Sequence, residues 1–181
     1  MKELKEFTIP FVGLKLGEHL FDFEINKQFF EHFEYEDFND ANIKLQILLN
    51  KKTTLLEFTL SFNGYVNVNC DTTNEPYDQE IKDQYHFVVN FGDTFNDENE
   101  DLLILPHGSY EVNIQQYIYE SIVLAMPIRK IHPGIEDGTL KSDILKKLEE
   151  LSLKEEKEKN NNPDSETDPR WDTLKKLLTD K

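Results

Sequence analysis

The side chains that could take part in catalysis are few and lie far apart along the chain. Cys70 is the only cysteine, and it follows an alternating apolar and polar run that is typical of a strand. Its thiolate could act as a nucleophile if His107 or His132 served as the base. Nothing in the sequence brings these residues together, so a thiol that is buried or at a sheet edge is the preferred interpretation.

Glu120 is the other candidate for acid–base chemistry. It lies in a strongly apolar segment, where an ionised carboxylate is rarely buried without a partner. It could serve a hydrolase or nuclease together with His132 or with a metal bound by Asp and Glu. A lone carboxylate lacks a partner for catalysis. We therefore favour the interpretation that Glu120 is a polar residue at a helix edge that is tied to Lys or Arg. Phosphate-binding loops, His-Glu-x-x-His motifs and serine elbows are absent from the sequence. We therefore expect a protein that is not an enzyme and that carries no cofactor.

The acidic run at residues 96–101 resembles a set of calcium ligands in composition only. It lacks the glycine and the spaced terminal glutamate of an EF-hand, so a solvated loop is predicted. A single cysteine also excludes an intramolecular disulfide and a thiolate-rich zinc site. The sequence therefore predicts no metal site.

The charge balance restricts the partners. There are 36 acidic and 20 basic side chains, which gives a formal net charge of −16. Phosphate backbones repel such a chain, so a broad nucleic-acid-binding surface is not expected, whereas basic proteins such as ribosomal proteins are favoured. The densest basic spot of the folded part is the predicted local contact with RNA or a protein partner; it comprises Arg129, Lys130 and His132. No signal peptide or run of about 18 apolar residues is evident, so a cytoplasmic protein without a membrane contact is predicted.

The segment 110–134 organises the predicted fold. Tyr110, Val112 and Ile114 alternate as in a strand, and helical spacing then continues until Pro127 stops the helix near Met126. The predicted helix, 115–126, is apolar over most of its circumference. It must therefore be buried, and the remaining strands are its predicted cover.

Those strands are predicted from alternating residues in the segments 4–25, 41–49, 56–70, 77–91 and 102–105. Asn26 is predicted to cap a short helix through Phe29, Phe30 and Phe33. This phenylalanine cluster is interpreted as core, because its acidic flanks would oppose a stacked RNA strand. A small-molecule pocket lined by phenylalanines is left as an alternative. The expected class is α+β, with a mostly antiparallel, strongly curved sheet packed on the buried helix and a C-terminal helical tail.

The C-terminal part divides into two segments. Residues 1–153 form the predicted domain, and residues 154–167 are too polar to bury a core and are predicted to be a disordered linker. Residues 168–181 then predict a short amphipathic helix, which is too short to be stable alone and so must dock on its own domain or on a partner. The residues assigned to this docking tail are Asp168, Pro169, Arg170, Trp171, Leu174 and Lys175.

Three motifs occur in order along the chain: a strand that ends in the Cys70 turn, the spacing Glu120, Leu124 and Pro127, and the terminal run 168–171, Asp-Pro-Arg-Trp. In these motifs the chain resembles the YceD family, the large ribosomal RNA subunit accumulation proteins. The resemblance extends over roughly residues 1–181.

The resemblance implies a ribosome-biogenesis factor that supports accumulation of the large-subunit (23S) ribosomal RNA without established catalysis. Its implied partner is a ribosome-assembly particle or a ribosomal protein, with no small-molecule substrate. The family often carries Cys-x-x-Cys in the turn and further cysteines after the proline. Here Thr73 takes the second position and His132 stands in the later segment. A metal or redox role of those cysteines therefore cannot operate in this chain.

Overall fold

The structure, a computed structural model, describes residues 4–140 and 143–160, apart from the side chains of Glu136 and of residues 152–160. The chain divides into two compact units, Met1–Pro133 and Gly134–Lys181. The predicted docking tail, 168–181, lies outside the described residues.

The first unit is built mainly from strands. The described strands are β1 Thr8–Pro10, β2 Gly17–Asn26, β3 Asp40–Lys51, β4 Leu55–Asn69, β5 Pro76–Gly92, β6 Asn96–Asn99, β7 Leu102–Pro106 and β8 Glu111–Asn113. Six of them form a sheet in the order β2-β3-β4-β5-β7-β6, and β1 pairs with β8 in a small antiparallel sheet. Every pairing in the larger sheet is antiparallel except that of β5 with β7, which is parallel.

The alternating sequence explains which face of this sheet is buried. On β3 the residues Ile43, Leu45, Ile47 and Leu49 point to one face and are almost completely buried. In the register with β4, Leu45 lies opposite Phe62 and Ile47 lies opposite Leu60, so the two strands form one apolar surface. Each such side chain, once buried, contributes roughly 1.5–3 kcal/mol to folding.

Gly64 on β4 lies close against the backbone of β3. It lies opposite Ile43 in the register. A methyl group at this position would lie 2.6 Å from the Cα atom of Ile43 and closer still to the carbonyl oxygen of Asn42. Only glycine fits there without moving the backbone.

Four α-helices lie within the described residues: α1 Lys27–His32, α2 Gln115–Leu124, α3 Pro133–Glu136 and α4 Asp143–Asn160. The predicted helix after Asn26 is present as α1, but the Asn26 side chain makes no capping hydrogen bond. The last turns of α4 overlap the beginning of the predicted linker, 154–167. The division into domain, linker and tail stays a prediction.

The helix α2 packs on one side only. Ile118 and Ile122 are completely buried, whereas Leu124 is 83% exposed and Glu120 is exposed. The helix ends at Leu124, two residues before the predicted end of 115–126, and Ala125 is its C-cap. The sequence predicted a buried helix that is apolar over most of its circumference, whereas the described helix is buried on one side only.

The phenylalanine cluster is core, as predicted. Phe29 and Phe30 are buried, and the ring of Phe30 meets that of Phe38 at 4.8 Å in an edge-to-face contact. The α+β class with a mostly antiparallel sheet is also confirmed. No helix in the described part of the chain is both long enough and apolar enough to cross a membrane.

Candidate functional site

Cys70 lies in a tight turn at the end of β4. Its backbone N–H donates to the carbonyl of Glu75 at 2.9 Å, and the N–H of Asn74 donates back to the Cys70 carbonyl at 2.8 Å. Asn74 adopts the left-handed conformation, with φ of 57°, which asparagine tolerates well. The Cys70 thiol is only 2% exposed, so a substrate cannot reach it.

Hydrogen bonds converge on the sulfur of Cys70. Burial disfavours the thiolate, but donation from the Thr73 side chain and from the backbone N–H groups of His132, Thr73 and Thr72 outweighs it. Together these interactions lower the pKa of Cys70 from 9.0 to about 7. The N–H of His132 lies 3.3 Å from Sγ. The thiolate is therefore held by the protein itself.

The same turn is joined to the segment after Pro127. Asp71 and Lys130 exchange two hydrogen bonds: the Lys130 N–H donates to Oδ2 of Asp71 at 2.7 Å, and the Asp71 N–H donates to the Lys130 carbonyl at 2.8 Å. The Lys130 ammonium lies 3.6 Å from the carboxylate of Asp37, which precedes β3. Lys130 thus connects three distant parts of the chain.

The predicted basic contact therefore separates into two groups. Lys130 makes the contacts just described, and the His132 ring packs against Tyr77 with a centroid distance of 5.4 Å. Arg129 is exposed, and its neighbour Ile128 is 99% exposed. Of the three predicted contact residues, Arg129 is the one presented to solvent.

This arrangement was not evident from sequence, in which Cys70 and His132 are far apart. The two segments that carry cysteines in many members of the family that the chain resembles lie side by side here. The backbone N–H groups of His132 and Lys130 join them, by donating to Cys70 Sγ and to the Asp71 carboxylate. The other proposed base, His107, lies in an exposed turn after β7, where its N–H donates to the carbonyl of Gly92 at 2.9 Å.

Glu120 lies on the exposed side of α2. Its carboxylate accepts a hydrogen bond from the side-chain amide of Gln116 at 2.5 Å, rather than from the Lys or Arg that was expected. The start of this helix is fixed by Asn113, whose side-chain carbonyl accepts the N–H of Gln115 at 3.0 Å. Glu120 therefore faces solvent from a firmly placed helix.

Glu120 is part of a groove of about 920 Å³, which we call the acidic groove. Its walls come from α2, from β8 and from the strands β5, β6 and β7. Neither His132 nor Tyr77 is among its lining residues, so the groove does not pair Glu120 with the proposed catalytic histidine. The carboxylates that line it are Asp83, Asp97, Glu98, Glu100, Glu111 and Glu120.

A second cavity, of about 1060 Å³, lies over the middle of strands β2 to β5. Only Phe23, Leu45 and Phe62 among its lining residues are apolar; the others are charged or polar. Two phenylalanines, Phe23 and Phe62, therefore contribute to a mostly polar lining, and a small-molecule pocket lined by phenylalanines stays a prediction. Within the described residues, no group of three or more His, Cys, Asp or Glu side chains is arranged to hold a metal ion.

Comparison with protein families gives a match. A family model described as large ribosomal RNA subunit accumulation protein YceD matches residues 58–178. The matched range includes Cys70, Glu120, Leu124, Pro127 and the terminal run 168–171. No curated protein and no solved structure matches the chain.

Proposed function

Because the chain belongs to the YceD family of large ribosomal RNA subunit accumulation proteins, we propose that it is a non-enzymatic ribosome-biogenesis factor. In this proposal it acts in the cytoplasm and supports accumulation of the large-subunit ribosomal RNA by binding a protein or an assembly particle. The family match over two thirds of the chain is the observation that carries the proposal.

The chemistry of the side chains supports binding rather than catalysis. Cys70 is buried, and its sulfur is occupied by protein hydrogen bonds. Glu120 is engaged by Gln116 in a groove that His132 does not line. General acid–base catalysis requires the acid and the base to reach the same substrate, and these residues do not provide that arrangement.

The loop after α2 supplies a candidate contact with the assembly particle. Arg129 offers a cation to phosphate or to an acidic partner, and Ile128 beside it offers exposed apolar surface. A single exposed arginine next to an exposed isoleucine suits a local contact, which is compatible with a net charge of −16. In this proposal Lys130 and His132 position the loop, and Arg129 makes the contact.

The C-terminal run with Arg170 and Trp171 is proposed as a docking segment. The family match continues to residue 178 and so includes this run. Trp and Arg are the residues that most often dominate the energy of protein interfaces. A Trp171→Ala change is expected to weaken whatever contact the segment makes, which hydrogen exchange over residues 168–178 would measure with and without assembly particles.

Sedimentation of cell extracts tests the proposal. A tagged copy of the chain should migrate with large-subunit precursor particles in a sucrose gradient and be depleted from small-subunit fractions. Migration only at the top of the gradient, under low-salt conditions that preserve assembly intermediates, would count against a role on the particle.

A further inference from the structure

Building on the proposed function, we infer that the acidic groove is the binding site for a basic, partly apolar protein segment, of the kind found in lysine- and arginine-rich extensions of RNA-binding proteins. The proposed occupant is thus a protein, and the chemistry of the groove indicates the class of partner through which the chain would act.

The charge of the groove supports this occupant. Its lining includes six carboxylates and no lysine, arginine or histidine. Within the described part of the chain, none of these six acids forms a salt bridge. Burial, together with Tyr85, Asp97 and Glu120, raises the pKa of Tyr117 in the groove wall to about 12. A cleft with one sign of charge attracts an oppositely charged segment and repels RNA.

The groove also offers apolar surface, which distinguishes it from a solvated acidic loop. Leu103 and Val112 are buried at its base, whereas Phe95 is 57% exposed and Leu124 is 83% exposed at its edges. Large apolar side chains that are exposed and bordered by charges mark surfaces that a partner covers. A bound segment would therefore place apolar side chains against Phe95 and Leu124 and its cations against the acids.

The walls of the groove are held in place before binding. The Tyr85 hydroxyl donates to the carbonyl of Glu100 at 2.5 Å and ties the β6–β7 loop to β5. Tyr117 stacks on Phe87 with a centroid distance of 4.1 Å, which joins α2 to the same strand. Since little ordering is then required on binding, a short segment suffices for measurable affinity.

The groove lies almost entirely within the matched range of the family model. All of its lining residues except Thr8 fall within residues 58–178. Its volume, about 920 Å³, can accommodate several side chains of an extended peptide.

The test measures fluorescence anisotropy with the full chain and a labelled peptide in which lysine and leucine alternate. Two matched peptides serve as probes of the chemistry: one replaces leucine by serine, and the other replaces lysine by glutamate. The lysine–leucine peptide is expected to bind most tightly of the three, and added salt is expected to weaken its binding. Absence of binding, or equal binding of the lysine–serine peptide, would overturn the inference.

Variants locate the binding. The double change Glu98→Lys and Glu120→Lys, and separately Leu124→Ser, should each weaken peptide binding by about tenfold or more. The matched control reverses two exposed acids that do not line the groove, Glu18→Lys with Glu36→Lys. If the control weakens binding as much as the groove variant, net charge alone explains the interaction and the inference fails.

Other occupants would give different results. Suppose that a labelled single-stranded RNA binds the chain, that Glu98→Lys does not strengthen this binding, and that no peptide binds. This result would overturn a protein occupant. Concentration-dependent dimerisation that Leu124→Ser abolishes would instead indicate that a second copy of the chain occupies the groove.

Complementation separates this inference from the proposed function. If depletion lowers the large-subunit RNA and the groove variant restores it fully, the groove inference fails and the proposed function stands. If depletion leaves the RNA unchanged while the peptide still binds the groove, the proposed function fails instead.

Discussion

Asp71 and Lys130 exchange two hydrogen bonds, of 2.7 and 2.8 Å, across a separation of 59 residues in the chain. One uses the Asp71 carboxylate and the other uses only backbone groups. The pair fixes one loop, which carries Arg129, to the turn that carries Cys70. The position of Arg129, the proposed contact residue, therefore depends on Asp71.

Asp71→Ala should lower the free energy of unfolding by about 1 kcal/mol, because the Lys130 N–H loses its charged acceptor. Asp71→Asn keeps an acceptor oxygen and should cost only a few tenths of a kcal/mol. Urea unfolding measures both, and hydrogen exchange at the Lys130 amide should accelerate in Asp71→Ala alone. Equal exchange rates in the two variants would mean that this bond does not hold the loop.

Thr73→Val should raise the pKa of the Cys70 thiol from about 7 toward its ordinary 9.0, since the hydroxyl is the largest of the influences that lower it. The pH dependence of thiolate absorbance measures the pKa, with a Cys70→Ala chain as the blank. A pKa unchanged by the loss of the hydroxyl would show that the backbone N–H groups alone hold the thiolate.

The lowered thiol pKa also predicts how stability changes with pH. The folded pKa, about 7, lies below the ordinary 9.0, so ionisation stabilises the folded chain fully above pH 9 and this gain is lost as the pH falls through 7. The free energy of unfolding of the natural chain, relative to Cys70→Ala, should therefore increase between pH 7 and pH 9. A constant difference over this range would contradict a thiolate in the folded state.

Gly64→Ala should destabilise the chain by several kcal/mol, because its methyl group would overlap the backbone of β3 at Asn42 and Ile43. Gly13→Ala is the matched control, since nothing lies within 4 Å of its added methyl group, and it should change stability by less than about 0.5 kcal/mol. Thermal unfolding of both variants makes the comparison. Similar melting temperatures would show that β3 and β4 can separate locally at little cost.

Arg129→Glu should weaken sedimentation with large-subunit precursors and leave the melting temperature unchanged, because the side chain is exposed. Lys15→Glu, which makes the same charge change at another exposed position, should leave sedimentation unaffected. Equal losses in both variants would assign the effect to net charge. Full association of Arg129→Glu would remove this residue from the proposed contact.

The long strands and the main helix could be predicted because their causes are local, whereas residues 96–99, predicted to be part of a solvated loop, form β6. The alternation of Ile43, Leu45 and Ile47 specifies a strand with one buried face, and the change to helical spacing after Ile114 specifies α2. These patterns report the period of the backbone. They do not report which neighbour covers each face.

The missed features depend on that long-range information. Leu124 was expected to widen the apolar side of the buried helix, yet it is 83% exposed, whereas Ile118 and Ile122 of the same helix are buried. The parallel pairing of β5 with β7 builds one wall of the acidic groove, and no local pattern encodes it. The meeting of the Cys70 turn with Lys130 and His132 likewise follows from the whole topology. The family resemblance pointed to both segments but could not show that they touch.

The most direct test of the central claim is depletion of this protein in cells that normally make it, followed by the ratio of large- to small-subunit ribosomal RNA in those cells. If the proposed function holds, the large-subunit RNA should fall selectively, and the natural chain should restore it. An unchanged ratio after complete depletion would contradict the proposed function.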